Sequence, residues 1–304
     1  MTPIKPRKRL LAILLPYFMV LPTVSLIVLF TIAPAINSLK DSMMKPAVRR
    51  GQEAQFVGFD NFRDLFDENH HIGNSFRRVF GNTFVYALSM VGFSIPIALI
   101  FALLVNRRIS GLGLWRFAYF YPALLPSIAA ASIWAFLYGP NSGMFNIILR
   151  SLGLGRVSWL GDPNIALWSV IAVAVWMESS FLMIFYLAGL QGIPKDLYEA
   201  ASIDGANDWQ RFRYITLPLL RRTHQFAITI SLVYAFQSGE ILQALGEGGP
   251  NNASNVMLYF IVKRLPEPVN WGHINAIAVI LLVIVMTFSI ANYLFFQRRE
   301  HLES

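Results

Sequence analysis

Six stretches of this chain are almost free of Asp, Glu, Lys and Arg: residues 10 to 36, 80 to 105, 117 to 138, 165 to 190, 223 to 240 and 274 to 297. A bilayer core takes about 20 apolar residues per helix, so stretches of this length settle where the chain resides. The fourth is interrupted only by Glu178, and the fifth, the shortest, closes on Glu240. A chain of 304 residues that is 55% hydrophobic and 14% charged, with mean hydropathy +0.51, is too apolar for a water-soluble domain. The expected fold class is an all-α membrane protein. Six transmembrane helices would lie within a domain at 10–297, between short ends at 1–9 and 298–304. Pro16, Pro22, Pro34, Pro96, Pro122 and Pro126 fall inside these stretches and predict kinks, tolerated where neighbours satisfy the freed carbonyls. The first stretch follows Lys5, Arg7, Lys8 and Arg9, as a secretory leader would, but its apolar run is about twice a signal core and lacks an A-x-A exit.

Six spans put both termini on one side, and charge selects the side. With the ends inside, the inner segments 1–9, 106–116, 191–222 and 298–304 hold 14 of the 25 Lys and Arg in 59 residues; the outer segments hold 11 in 102. This bias favours cytoplasmic ends, with Arg77 and Arg78 beside the second span running against it. It also accounts for much of the net charge of +8, which would otherwise suggest a nucleic-acid partner. Trp115, Tyr119, Trp134, Tyr138, Trp159, Trp168 and Trp271 cluster near the expected span ends, as interfacial aromatics do.

The longest inner loop carries "YEAASIDGANDWQRFRYITLPLL", residues 198 to 220. Its local chemistry predicts two short helices. Pro194 suits a helix's first turn, and Asp196 and Glu199 complement the dipole near its start. Asp204-Gly205 breaks the run, because glycine takes the positive φ an elbow needs. Asn207 with Gln210 three positions on has the form of a capping box, and the second helix is expected to end before Leu217-Pro218. Ala200 and Ala201 let another backbone come close, and Trp209 and Phe212 add an apolar face. Physics alone leaves a second reading open: an amphipathic hairpin lying on lipid headgroups.

Glu199-Ala200-Ala201, Gly205 and Ile215-x-Leu217-Pro218 reproduce, position for position, the EAA-x3-G-x9-I-x-L-P loop of inner-membrane permease subunits of bacterial ABC importers. The chain resembles the carbohydrate branch of that family through "LAGLQGIPKDLYEAASIDGA", "FVGFDNF", "GNTFVYAL", "NRRISGLGLWRFAYFYPALLPSIAAASIWAFLY" and "GEGGPNNAS". The resemblance implies a type I importer permease fold in the bacterial inner membrane. It also implies partners: a second permease subunit, a dimer of ATP-binding subunits, an extracytoplasmic solute-binding protein and a carbohydrate solute. Glu199, Ala200, Ala201, Gly205, Ile215, Leu217 and Pro218 would form the contact with the ATPase, and transport would proceed by alternating access. No cofactor is expected in this chain: it has no G-x4-G-K-[ST] loop, so ATP and Mg are left to the partner.

The solute path is sought among ionisable and polar groups at membrane depth, which are costly unless functional or paired. Glu178 lies near the middle of the fourth span beside Ser179 and two residues after Trp176, and an aromatic platform with carboxylate and hydroxyl groups suits a sugar. The competing reading is a carboxyl group that is protonated or joins helices. Ser231, Tyr234, Gln237, Glu240 and Gln243 recur every third residue and suggest a cavity lining, against which stands a role as interhelical glue.

Other classes fit less well. An ion-coupled secondary transporter, the alternative function, would need an intramembrane relay and often an inverted repeat, and Glu178 is the sole central acid. A membrane enzyme would need a nucleophile, a metal or an acid pair at one bilayer face. The five histidines show no metal spacing with acidic partners, and the absence of cysteine excludes thiolate sites and disulfides. Segment 37–79, the longest outer loop, is too polar for a core and is expected to cap the pore or touch a solute receptor.

Overall fold

The structure, a computed structural model, describes residues 6–47, 53–106, 112–264 and 270–300. Much of the expected cytoplasmic ends, 1–9 and 298–304, and residues 107–111 of the "NRRISGLG" stretch lie outside the described residues. Helices dominate. They are α1 (Pro6–Ile27), α2 (Ala33–Asp41), α3 (Asp60–Phe66), α4 (His71–Val105), α5 (Leu112–Leu124), α6 (Ser127–Leu137), α7 (Met144–Ser151) and α8 (Ala166–Gln191). The order continues with α9 (Lys195–Ile203), α10 (Asp208–Arg211), α11 (Leu217–Leu219), α12 (Arg221–Gln237), α13 (Glu240–Ala244), α14 (Met257–Arg264) and α15 (Trp271–Glu300). The chain divides into two compact units, Met1–Asp64 with Leu265–Val279, and Leu65–Arg264 with Ile280–Ser304.

In the first unit, a π-helical turn at Val28–Ile32 joins α1 to α2 without interrupting the helix. Two short strands, β1 (Met44–Lys45) and β2 (Gln55–Phe56), pair antiparallel behind it. Asn61 ties this corner by donating from Nδ2 to the carbonyls of Ser42 (2.8 Å) and Met44 (3.0 Å). The first turns of α15 close on the same corner. Trp271 Nε1 donates to Asp41 Oδ2 at 3.2 Å, and His273 Nε2 lies 3.0 Å from Asp64 Oδ2.

In the second unit α8 is the central helix. Its most apolar stretch is 67% buried, against 33% for α4, 28% for α15 and none for Leu15–Asp41. Small residues explain how it gathers neighbours: Ala98 and Ala102 of α4 meet Leu182, Met183 and Tyr186 of α8, joined by Leu220 and by Ala227 of α12. Gly189 continues the theme, since a Cβ there would stand 2.7 Å from Thr223 Oγ1 and 2.8 Å from Leu220 Cδ2. Polar pairs add direction to this packing, as where Asn292 of α15 donates to Thr229 of α12 at 2.8 Å. A loop between α13 and α14 is clamped by α4. Asn82 Nδ2 lies within 2.9 to 3.1 Å of the carbonyls of Asn252, Ala253 and Asn255, and Thr83 Oγ1 accepts from the amide of Met257 at 2.9 Å.

Among the described residues four helices are long and apolar enough to cross a bilayer: Leu15–Asp41, His71–Val105, Ala166–Gln191 and Trp271–Phe295. The expected third span is broken. Its parts, Gly113–Leu124 and Ser127–Leu137, meet at 105°, because Pro126 takes an extended conformation (ψ 136°) and restarts the helix. The expected fifth span is also shorter than a simple span. α12 has 17 residues, opens on Arg221 and Arg222, and stops at Ser238, whose extended backbone separates it from α13.

Replacing Gly189 with Val should lower the melting midpoint of the detergent-solubilised protein by the equivalent of about 1–3 kcal/mol, the usual cost of overpacking. Gly92→Ala, where an added Cβ meets nothing within 4 Å, should leave the midpoint unchanged or raise it; size-exclusion melting curves decide.

Candidate solute cavity and coupling hairpin

Two regions of the second unit concentrate polar side chains that the bundle does not need for packing. One lies inside it. A cavity of about 450 Å³ is bounded by Leu125, Pro126 and Ser127 at the α5–α6 break, by Glu178 and Phe181 of α8, and by Tyr234 and Glu240 beside the α12–α13 break. A second cavity of about 210 Å³ shares Ser127, Tyr234 and Glu240 and adds Gln237, Ser238 and Gly239. Both breaks thus open onto one place. A broken helix leaves backbone groups without partners, and in a bilayer such groups are tolerated where they line a cavity.

Glu178 is almost fully buried, and its Oε1 accepts from Ser231 Oγ at 2.8 Å. That bond joins α8 to α12 and orients the carboxyl group, which links the helices and also lies in the cavity wall. Tyr234 is 42% exposed and turns an aromatic ring to the same space.

The sequence candidates divide here. Glu178, Tyr234, Gln237 and Glu240 come together, whereas Trp176, Ser179 and Gln243 do not line either cavity. Trp176 packs edge-on against Trp134 at 5.5 Å, within an aromatic cluster that includes Tyr138, Phe145 and Trp159. Ser179 is buried and donates to the Trp176 carbonyl at 3.2 Å. Gln243 falls beyond the helix break, where a count by threes along one helix no longer applies. Ser127 and Phe181 went unmarked by sequence reasoning, although Pro126 was a visible sign that backbone would be freed there.

The other region is the loop between α8 and α12. Two helical segments are joined by an elbow at Gly205, whose φ of +82° is left-handed. The elbow is closed by the amide of Ala206 donating to the Ala201 carbonyl at 2.9 Å. Asn207 and Gln210 form the expected capping box, with reciprocal bonds of 2.9 and 2.8 Å. Ser202 accepts from Arg211 Nη1 at 2.7 Å, and Tyr198 and Thr216 meet through their hydroxyls at 2.9 Å, so the two arms are braced against each other.

One expectation is corrected. The second segment does not end before Leu217-Pro218. It runs through a π-helical turn at Phe212–Thr216 into α11, with the Leu217 amide bonded to the Phe212 carbonyl. The wider turn accommodates a proline that lacks a donor and would crowd a tight α turn.

Motif residues separate by face. Tyr198, Phe212, Ile215 and Leu217 pack against the buried cluster of α4 and α8, whereas Glu199, Ala200, Gly205 and Pro218 are exposed and Ala201 is half-buried. Ile215 and Leu217 are therefore anchors of the hairpin rather than part of its free surface. Around the exposed residues stand Ile203 (86% exposed) and Trp209 (68%), apolar side chains that water does not favour.

Several bilayer-length helices, an internal cavity at two helix breaks whose largely apolar wall carries two glutamates, and an exposed braced hairpin define a membrane transport component. The chain belongs to the family of binding-protein-dependent transport system inner membrane components, whose family model matches residues 71–301. It is 34% identical over 281 residues to the trehalose/maltose transport system permease protein MalF of Thermococcus litoralis, covering 91% of each chain. It is also 34% identical over 291 residues to the sn-glycerol-3-phosphate transport system permease protein UgpA of Agrobacterium fabrum, covering 95% of this chain and 96% of that one. Its fold matches a chain of a bacterial alginate ABC transporter in complex with an alginate pentasaccharide-bound periplasmic protein, at TM-score 0.81 and 24% identity over 95% of this chain and 96% of the other. The chain is accordingly a permease component of the inner membrane and not an ATPase, and ion-coupled secondary transport is left without support.

Ser231→Ala should destabilise the solubilised protein by about 1–3 kcal/mol, because it strips the donor from a buried carboxyl group. Glu178→Gln, which keeps an acceptor there, should cost less in the same melting assay. In the hairpin, Asn207→Ala removes a cap worth about 1 kcal/mol, so hydrogen exchange at the Gln210 amide should speed up about fivefold while α8 is unchanged.

Proposed function

We propose that this chain is a six-span permease subunit of a carbohydrate ABC importer, with both termini cytoplasmic and with α12 and α13 together completing the fifth span. The names of its relatives support a saccharide or polyol derivative as solute. It works beside a second permease, with two ATP-binding subunits that hold ATP and magnesium, and takes solute from an extracytoplasmic binding protein. The single observation that carries this reading is the two-faced hairpin: Ile215 and Leu217 rooted in the α4–α8 core, Glu199, Ala200 and Gly205 presented outward. A contact on the exposed face is transmitted to the bundle through that root. Closure of the ATP-binding dimer pulls the hairpin, the anchors displace the inner ends of α4 and α8, and the cavity changes the side on which it opens.

Chemistry suits each role. Glu199, midway along α9, can pair with a basic groove, and small side chains allow close docking. In the cavity, Tyr234 offers a ring for a sugar face, while Glu178, Gln237, Glu240 and Ser127 offer hydrogen bonds to hydroxyls.

The reconstituted complex tests this. Glu199→Ala and Gly205→Trp should both assemble yet lose binding-protein-stimulated ATP turnover and uptake, Gly205→Trp almost completely, since a side chain there opposes the left-handed backbone and blocks docking. Normal turnover and uptake in both variants would defeat the coupling role.

A further inference from the structure

The charge carried by the cavity narrows its solute. Glu178 and Glu240 both line the 450 Å³ space, and among the described residues lining either cavity none is Lys, Arg or His. The remaining wall is hydroxyl, amide, aromatic and aliphatic. Ser231 engages Oε1 of Glu178, and no hydrogen bond to its second oxygen occurs among the described residues, so that oxygen is left to whatever enters. Low-dielectric walls concentrate the field of fixed charges, and a space walled by one sign enriches the opposite sign. An entering phosphate, sulfate or carboxylate would be held near two acids with no cation to receive it, an arrangement that costs more than the hydroxyl bonds return.

We propose that this cavity admits hydroxyl-rich solutes that are neutral or cationic and rejects those that bear an anionic group. The inference rests on the proposed role of the cavity as the solute path. It separates the chain from two systems it is similar to: the sn-glycerol-3-phosphate permease is named for an anion, and the solved alginate transporter for an acidic polysaccharide. On this criterion its solute resembles trehalose or maltose, or an amino-bearing relative of such sugars, more than a sugar phosphate or uronate.

Because the chain has no cysteine, one thiol placed in the wall is the only one on this subunit, and labelling read on the isolated subunit by mass spectrometry reports on the cavity. Ser127→Cys, in the assembled complex in proteoliposomes, is treated with two methanethiosulfonate reagents of similar size, trimethylammonium-ethyl and sulfonatoethyl. Their rate ratio is divided by the ratio for a small free thiol in the same buffer. The normalised ratio should favour the cationic reagent by about tenfold or more, and should fall towards one when Glu178→Gln and Glu240→Gln are added. Glu240→Gln alone, at an exposed side chain, should lower it part of the way and serves if Glu178→Gln disturbs the bundle. A ratio near one or below it in the parent protein overturns the proposal, as does a ratio that survives both Gln substitutions. The same thiol tests the path itself: its labelling rate should differ between nucleotide-free and ATP–vanadate-trapped complex. A cation preference without that difference would refute the solute path, and the selection with it, while leaving the cavity acidic.

Discussion

In a bilayer no water is at hand to satisfy a free backbone amide or carbonyl, and that constraint governs where this molecule can depart from helix. Two departures inside the bundle, at Leu125–Pro126 and at Ser238–Gly239, line two cavities that share Ser127, Tyr234 and Glu240. The shared wall sets Ser127, Tyr234 and Glu240 among apolar neighbours, so polar groups gather where the helices break. By contrast, the helix from α1 into α2 bends its hydrogen-bond register at Val28–Ile32 but never opens, as befits a segment whose apolar stretch is wholly exposed.

Around the cavity, rigidity comes from contacts of two kinds. Small residues bring α4 and α8 close, and dispersion between them needs no directional partner. Polar ties then fix rotation: Ser231 to Glu178, Asn292 to Thr229, Tyr138 to the Ser169 carbonyl at 3.0 Å. The clamp from Asn82 and Thr83 does the same for the loop between α13 and α14, in which Glu247, Asn251 and Asn252 adopt left-handed conformations. Leu245, Ala253 and Val256 are buried in this loop, so apolar contact holds it and the hydrogen bonds set its shape.

Much of the hairpin was legible in the sequence, because caps and elbows are decided within three or four residues. Asn207, Gln210 and Gly205 behave as their local chemistry dictates. The cavity was only partly legible. Glu178 stood out as a charge at membrane depth, but its neighbour Ser179 points about 100° away around the helix and bonds back to its own turn. Counting by threes joined Gln243 to Tyr234 on the assumption of one continuous helix, which the break at Ser238 cancels. The stretches "GNTFVYAL" and "GEGGPNNAS" carried the family resemblance separately, and only the folded chain shows that the first holds the second. Six spans likewise could be written from composition, whereas the bent α5–α6 pair and the short α12 depend on packing that composition does not encode.

The π-helical turn at Phe212–Thr216 has a consequence for how this segment tolerates change in length. A π turn holds one residue more than the α turn it replaces, so it is an insertion absorbed without breaking the helix. Deleting one residue among these five would restore α spacing and leave the turns on either side near their present bearing, because the wider turn had already absorbed that residue. The elbow and Glu199 would keep roughly their bearing relative to Leu217, while Phe212 and Ile215, which lie within the turn, would have to reseat against the core. An alignment gap of one in this interval would thus signal a permease that lacks the wide turn yet presents its docking face the same way, whereas a gap of one in a neighbouring α turn would swing that face by about 100°.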